Sequence, residues 1–297
     1  MKVHKAVIPA AGFGTRFLPG TKAVPKEMIL LVDQPVIQYV VEEAVASGMD
    51  EICIIISAGK EDIINHFSPA PILEERLEKT GKKDLLAQVR SLTDMAKFTF
   101  LYQKELKGLG DAILCAKEFV KDDPFAILLG DTVVKSSISL PVTGQLAQVY
   151  EKTGKSVIAS EEVARENLHK YGIIGSTPAP ETGEGEWVQK IFTMKEKPAP
   201  EEAPGHLAVA SRYLFTPTIF EELAKTPPGK GGEIQLTDAV VSLLKREDVY
   251  TRKIQGRRYD LGSKQGFLQA TVEFGLDREE FREKFAAFLQ EQVKNLP

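Results

Sequence analysis

Short, fully apolar runs alternate along the chain with longer stretches whose apolar residues fall three and four apart. Ala6-Val7-Ile8, residues 51–57 (EICIIIS) and residues 125–129 (FAILL) read as strands of a sheet covered on both faces. Between the first two, residues 35–48 gather Ile37, Val40, Val41, Ala44 and Val45 on one face. Pro35 suits the first turn of that helix and Gly48 its stop. Strand, helix and strand predict a right-handed βαβ unit. A short helix follows over 61–67. Residues 71–92 are charged, with Leu73, Leu77, Leu85, Leu86, Val89 and Leu92 as apolar positions, and predict a helical insertion broken at Gly81. Residues 97–103 alternate as a strand, and Gly108 to Ala112 opens a helix over 112–120. The strand at 125–129 ends in Gly130-Asp131, before a helix at 143–152 and a strand at 156–163. From Tyr171 the texture changes to short strands at 171–174, 187–194 and Leu207–Phe215, with exposed loops at 178–186 and 198–204. Helices at 216–224, 233–245, 267–275 and 277–294, and a strand at 249–254, complete the pattern. In the last helix Asp277 and Glu280 match a capping box. Its stripe of Phe281, Phe285, Phe288, Leu289 and Val293 suits core packing and a subunit interface equally.

Composition narrows the picture. With 297 residues, 43% hydrophobic and 27% charged, the chain can bury a sizeable globular core. A net charge of −4 gives no global attraction to nucleic acid or to anionic membrane, so any phosphate site must be local. No apolar run approaches the ~20 residues of a membrane span. The start, Met-Lys-Val-His-Lys, shows no secretory apolar segment. Cys53 and Cys115 lie in apolar segments and read as reduced thiols, which suits a cytoplasmic protein. The four histidines have no metal-ligand spacing.

The stretch AVIPAAGFGTRFLPGTKAVPK, residues 6–26, is where strand gives way to chemistry. Gly12 and Gly14 let backbone approach a ligand, and such a loop can turn several N–H groups toward one anion. Arg16, Lys22 and Lys26 add positive charge, so the ligand this loop suits is a polyphosphate. The spacing is not a Walker loop, and Phe17 stands where a Rossmann fingerprint needs Gly or Ala. Three strand ends carry polar or small residues: Pro9-Ala10-Ala11, Gln103 and Asp131. In an open α/β sheet, ligands bind beyond such carboxyl ends.

The string GxGTRxLPxTKxxPKEM resembles the signature loop of the sugar-1-phosphate nucleotidyltransferases, and within them the bacterial uridylyltransferase branch. The likeness continues in order through Glu196-Lys197-Pro198, Leu207–Phe215 (LAVASRYLF), Gly232 to Asp238 (GEIQLTD) and Arg257 to Lys264 (RRYDLGSK). The insertion at 71–92 is carried by uridylyltransferases and is lacking in thymidylyltransferases. Four positions depart from the pattern. Leu261 replaces a family Cys, Ser211 replaces a Gly and could narrow the sugar pocket, and Leu31 and Gln34 read as helix-entry changes.

The resemblance implies an α/β fold, a Rossmann-like doubly wound mixed sheet with a smaller β-rich sugar-side portion and C-terminal helices. Residues 1–297 would form a single domain, with a nucleotide half at about 1–155, a sugar-phosphate half at 156–265 and helices at 266–297. It implies transfer from UTP to glucose 1-phosphate, giving UDP-glucose and pyrophosphate with Mg²⁺, in a homodimer or homotetramer. Two anions must meet and a leaving group must be stabilised, so positioning and electrostatics carry the rate. Asp131 and Asp260 would ligate the metal, as hard oxygen donors. Arg16 and Lys26 would grip the phosphates that leave, with Glu27 orienting Lys26 or the base. Ala10, Ala11, Gly12, Gly14, Thr15, Gln103 and Gly108 would form the nucleotide site, the Gln103 amide offering uracil both a donor and an acceptor. Lys197 would bind the sugar phosphate, Glu196 and Glu233 would face the sugar, and Gly172 would admit it closely.

Overall fold

The computed structural model describes residues 2–295, so Met1, Leu296 and Pro297 of the expected 1–297 domain lie outside the described residues. Strand β1 (Lys5–Pro9) leads to a hairpin of β2 (Leu30–Leu31) and β3 (Gln34–Pro35), then α1 (Val36–Ala46) and β4 (Glu51–Ile56). Next come α2 (Glu61–His66), α3 (Pro71–Lys79), α4 (Lys83–Asp94) and β5 (Lys97–Tyr102). Helices α5 (Leu109–Leu114) and α6 (Lys117–Val120) precede β6 (Phe125–Leu128), β7 (Thr132–Ser136) and α7 (Val142–Thr153). Strands β8 (Ser156–Glu162), β9 (Gly172–Pro178), β10 (Val188–Glu196) and β11 (Leu207–Phe215) follow, then α8 (Ile219–Lys225) and α9 (Leu236–Leu243). Strands β12 (Val249–Lys253) and β13 (Gly256–Asp260) and helices α10 (Lys264–Asp277) and α11 (Arg282–Lys294) close the chain.

A nine-stranded sheet in the order β5-β4-β1-β6-β11-β8-β12-β10-β9 forms the frame. Strands β5, β4, β1 and β6 are parallel, and β11 runs antiparallel between β6 and β8, so the sheet is mixed. Alternation along each strand divides the core in two. Ala6, Ile8, Ile54 and Leu128 pack with Ile37, Val40 and Leu146 from α1 and α7. Val7, Cys53, Ile55 and Ile127 pack with Ala112, Leu223 and Val240 from α5, α8 and α9. Covering both faces is what makes the strand sequences continuous apolar runs. The chain leaves β1 for β4 on one side and reaches β6 on the other, a switch of direction that opens a crevice beyond the strand ends. Among the described residues, no helix is long and apolar enough to cross a membrane.

The insertion forms two helices parted at Gly81, which takes a left-handed φ of 68°. Several boundaries move. The helix expected at 112–120 is α5 and α6, beginning at Leu109 and parted where Ala116 N–H bonds the Ile113 carbonyl. Residues 233–235 are extended and not helical, because Ile234 N–H donates to Lys107 O (2.7 Å) and Gly110 N–H donates to Ile234 O (2.9 Å). Thr216 and Pro217 form a turn ahead of α8. Helix α10 starts at Lys264, with the Ser263 hydroxyl accepting from Gly266 N–H, and runs on to Asp277. The capping box at Asp277 and Glu280 therefore does not form; Asp277 ends α10 and pairs with Lys135, and Phe281 precedes α11. Leu31 and Gln34 belong to the β2–β3 hairpin, and Leu31 is wholly buried against the Tyr259–Leu261 segment. The loop at 178–186 is not fully exposed, since Ala179 packs into the main core. The β7–β13 ribbon was not anticipated from the sequence.

Candidate active site

The site lies where the segments after β1 and β6 meet, with Gly130 N–H bonding the Pro9 carbonyl at 3.3 Å. The first segment is held from below. Ala10 N–H donates to Ile55 O (2.7 Å), the Ser57 hydroxyl donates to Ala11 O (2.8 Å), and Lys60 Nζ donates to Ala10 O (2.5 Å). Gly14 takes φ 65°, and a Cβ there would lie 3.0 Å from the Lys26 Cβ, so both conformation and space ask for glycine. Lys26 reaches from a short 3₁₀ turn to Asp131, Nζ to Oδ2 at 2.5 Å, and sits 3.9 Å from Glu27.

Burial lowers the affinity of Lys26 for its proton, but Asp131 and Glu27 outweigh it, and its pKa is raised overall. Burial pushes the Asp131 carboxyl up, and the charge and hydrogen bond of Lys26, with Arg16, turn the net shift downward. Both groups are thereby held ionised. Glu27 is 1% exposed and bonds Lys60 at 2.8 Å. Burial raises Glu27 and lowers Lys60, each opposed by the other's charge.

Asp260 arrives through the β7–β13 ribbon. Its register pairs Asp260 with Thr132, the residue after Asp131, so acids more than a hundred positions apart stand on neighbouring backbone. Asp260 Oδ1 accepts from Gly262 N–H at 2.9 Å, and Arg16 Nη1 lies 3.9 Å from Oδ2. Arg16 lines two cavities. One, of about 560 Å³, is walled by Ala11, Gly12, Lys26, Gln103, Gly108 and Asp131, with Glu233 across from them. The other, of about 690 Å³, is walled by Lys170, Tyr171, Arg257, Arg258 and Asp260. Ala10 lies behind the first wall and is 2% exposed, and Gly14 and Thr15 shape its loop without lining it.

Glu196, Lys197 and Gly172 form a separate group reached through Tyr171. Gly172 is paired with Glu196 across β9 and β10, and a Cβ on it would lie 3.1 Å from Glu196 Oε2. The Thr237 hydroxyl donates to Glu196 Oε2 at 2.7 Å, and Lys197 Nζ lies 3.4 Å from Oε1. Lys197 N–H bonds the Tyr171 carbonyl at 3.0 Å, while Arg258 stacks on the Tyr171 ring at 4.6 Å. Ser211 lines neither cavity. It sits at φ 61° in a bulge of β11, a backbone conformation that suits glycine, and its carbonyl accepts from Arg212. Leu261 is buried with Leu31 and Tyr259, as an apolar replacement of a thiol should be.

One expectation is corrected by geometry. The Gln103 amino group donates to Gly108 O (3.1 Å) and Asp111 Oδ2 (2.7 Å), so its donors are taken and it offers a ligand only an acceptor. Ser57, Lys60 and Asp111 support the site without a motif in the sequence pattern, and Thr237 and Arg212 lie within the GEIQLTD and LAVASRYLF blocks, whose pattern alone assigns them no role. Arg212, fully buried, binds Glu43 through two nitrogens and donates to Thr132 O at 2.8 Å, bracing the strand that begins beside Asp131. A lysine just beyond the carboxyl end of a buried strand was the one available cue, at Lys60.

A doubly wound sheet with a cation-lined loop beyond β1, Asp131 beyond β6 and Asp260 on the adjoining ribbon has the architecture of a nucleotide-binding α/β protein. The chain belongs to the nucleotidyl transferase family, whose model matches residues 5–275. It is 46% identical to the UTP–glucose-1-phosphate uridylyltransferase of Bacillus subtilis over 97% of each chain. A UDP-glucose pyrophosphorylase solved with UDP-glucose superposes with a TM-score of 0.84 at 39% identity, covering 93% of this chain and 100% of that one. A UTP-bound UGPase from Acinetobacter baumannii gives a TM-score of 0.89 at 36% identity, over 97% of this chain and 99% of the other.

Proposed function

We propose that this protein transfers the uridylyl group of UTP to glucose 1-phosphate, giving UDP-glucose and pyrophosphate. The observation that carries the reading is the β7–β13 register, which sets Asp260 beside Asp131 while Lys26 and Arg16 approach the two carboxylates. The ligands named for its relatives support the substrates. The sugar phosphate is an anion at neutral pH, so its oxygen needs alignment with the α-phosphorus more than it needs a base. Lys26, kept charged by Asp131, and Arg16, 64% exposed at its side chain, suit the two phosphates that depart as pyrophosphate.

Two hard carboxylates fit Mg²⁺, which takes one or two of them together with phosphate oxygens. Among the described residues no cluster of three or more acidic, His or Cys side chains competes with that pair. When bound by Asp131 and Asp260, the ion would neutralise charge on the reacting phosphates. Uracil is read by Gln103 and by backbone at Ala11 and Gly108, while Ala10, whose N–H and carbonyl are taken by Ile55 and Lys60, supports that wall from behind. Gly12, Gly14 and Thr15 shape the phosphate loop and Glu27 steadies Lys26. Lys197 takes the sugar phosphate, Glu196 accepts sugar hydroxyls beside Gly172, and Glu233 accepts them from the wall of the 560 Å³ cavity. The apolar side chains left exposed on the last two helices, Leu268, Phe288 and Val293, support a homodimer or homotetramer. Unpaired Cys53 and Cys115 support a cytoplasmic setting.

The test is pyrophosphate release from the purified protein with Mg²⁺, glucose 1-phosphate and each nucleoside triphosphate in turn. UTP is expected to be used best, and Asp131→Asn to abolish turnover with the fold retained. Preference for another triphosphate, or near-normal turnover in the variant, overturns the reading.

A further inference from the structure

Gln103 is 5% exposed, yet it lines the 560 Å³ cavity. Its amino group is consumed by Gly108 O and Asp111 Oδ2. Among the described residues no buried side-chain nitrogen or oxygen lacks a partner, so Oε1 is the polar atom Gln103 leaves open to the cavity. Asp111 does not line that cavity; it stands behind Gln103 in the first turn of α5. Turning the amide over would bring Oε1 against a carboxylate and a carbonyl, replacing two hydrogen bonds with two repulsions.

We propose that Asp111 is a positioning residue that selects the nucleobase, by locking Gln103 with its acceptor toward the ligand. The inference rests on the UTP reading above and deepens it. Uracil presents an N3–H donor, which Oε1 accepts. Cytosine presents N3 as an acceptor, which Oε1 repels. An unlocked amide could turn over and donate to cytosine N3, so discrimination depends on Asp111 as much as on Gln103. Asp111 itself touches no ligand.

The experiment is titration calorimetry of UTP and CTP on the wild type, Asp111→Asn and Asp111→Leu, with pyrophosphate release by the wild type as a separate arm. The change Asp111→Asn keeps an acceptor for the Gln103 amino group, so the UTP-over-CTP ratio of that variant should stay within about threefold of wild type. The Leu variant removes the shorter and charged of the two acceptors and leaves Gly108 O alone, so the ratio should fall by about tenfold, through gained CTP affinity and lost UTP affinity. An unchanged ratio in a folded Leu variant, whatever its total affinity, overturns the proposal and leaves Asp111 a brace for α5. If that variant does not fold, Asp111→Ala takes its place: it also removes the carboxylate acceptor, the same fall in the ratio is expected, and an unchanged ratio overturns the lock. Failure of the wild type to release pyrophosphate would sink the enzymatic reading alone, because the binding ratios are read without turnover.

Discussion

The charged groups of the site come in facing couples, and substitutions act through the partner left behind. Asp131 is held below its ordinary value of 3.8, so its stabilisation is full above that value and is lost as pH falls through the depressed folded one. Lys26, raised above 10.5, contributes below that value and loses its contribution as pH climbs through the raised folded one. Asp131→Asn should therefore flatten the acid limb of a stability–pH curve by up to about 1.4 kcal/mol per pH unit, measured by urea melts. An unaltered acid limb would mean the couple is not what holds Asp131 ionised. Lys60 gives a second test. Lys60→Met leaves buried Glu27 only the more distant Lys26, at 3.9 Å, and should cost up to about 3 kcal/mol in the same melts. Adding Glu27→Gln should recover much of that stability but not UTP affinity, since the Ala10 carbonyl has still lost its donor. Recovery of both would show Lys60 to be a stabilising residue only. Arg16 and Lys26, ten positions apart in one stretch, which the fold brings to Asp260 and Asp131, were legible as cations. Lys60 and Asp111 were not, because a lone charged residue carries no period and its partner is fixed only by folding.

Among elements, the sharpest contrast between pattern and structure is the segment before α9. In that helix Leu236, Ala239, Val240 and Leu243 recur at helical spacing and are buried. The three residues ahead of it share its composition but bond sideways to the 107–110 loop, a tertiary preference that no periodicity encodes. The same reason hid β7 and β13, whose sequences TVVKS and GRRYD have neither an apolar run nor clean alternation. That ribbon nonetheless brings Asp260 in. The sideways pairing makes a prediction at Gly108. Its φ is 96°, and an added Cβ would lie 2.7 Å from the Glu233 Cβ and 3.2 Å from Ile234 N. Gly108→Ala should push the two segments apart, cost about 1–3 kcal/mol and weaken UTP binding. Gly81→Ala, also at positive φ but facing open space, should cost about 1–2 kcal/mol of strain and leave turnover unchanged. Equal effects on UTP binding would refute the role given to the 107–110 contact.

For the whole molecule, the mixed sheet was legible because parallel strands buried on both faces must be apolar throughout. Its strand order was not, since β11 enters between β6 and β8 from far along the chain. That late entry bears on synthesis. By the time β6 emerges from the ribosome, β5, β4, β1 and β6 have all been made, but the outer edge of Phe125–Leu128 has no neighbour until Leu207–Phe215 follows. A nascent chain arrested at Pro200 should thus display a bare apolar border, attract chaperones and yield quickly to protease, while one arrested beyond α9 should resist. In the cell, the danger of aggregation for this protein is concentrated in the interval during which translation crosses those eighty-odd codons.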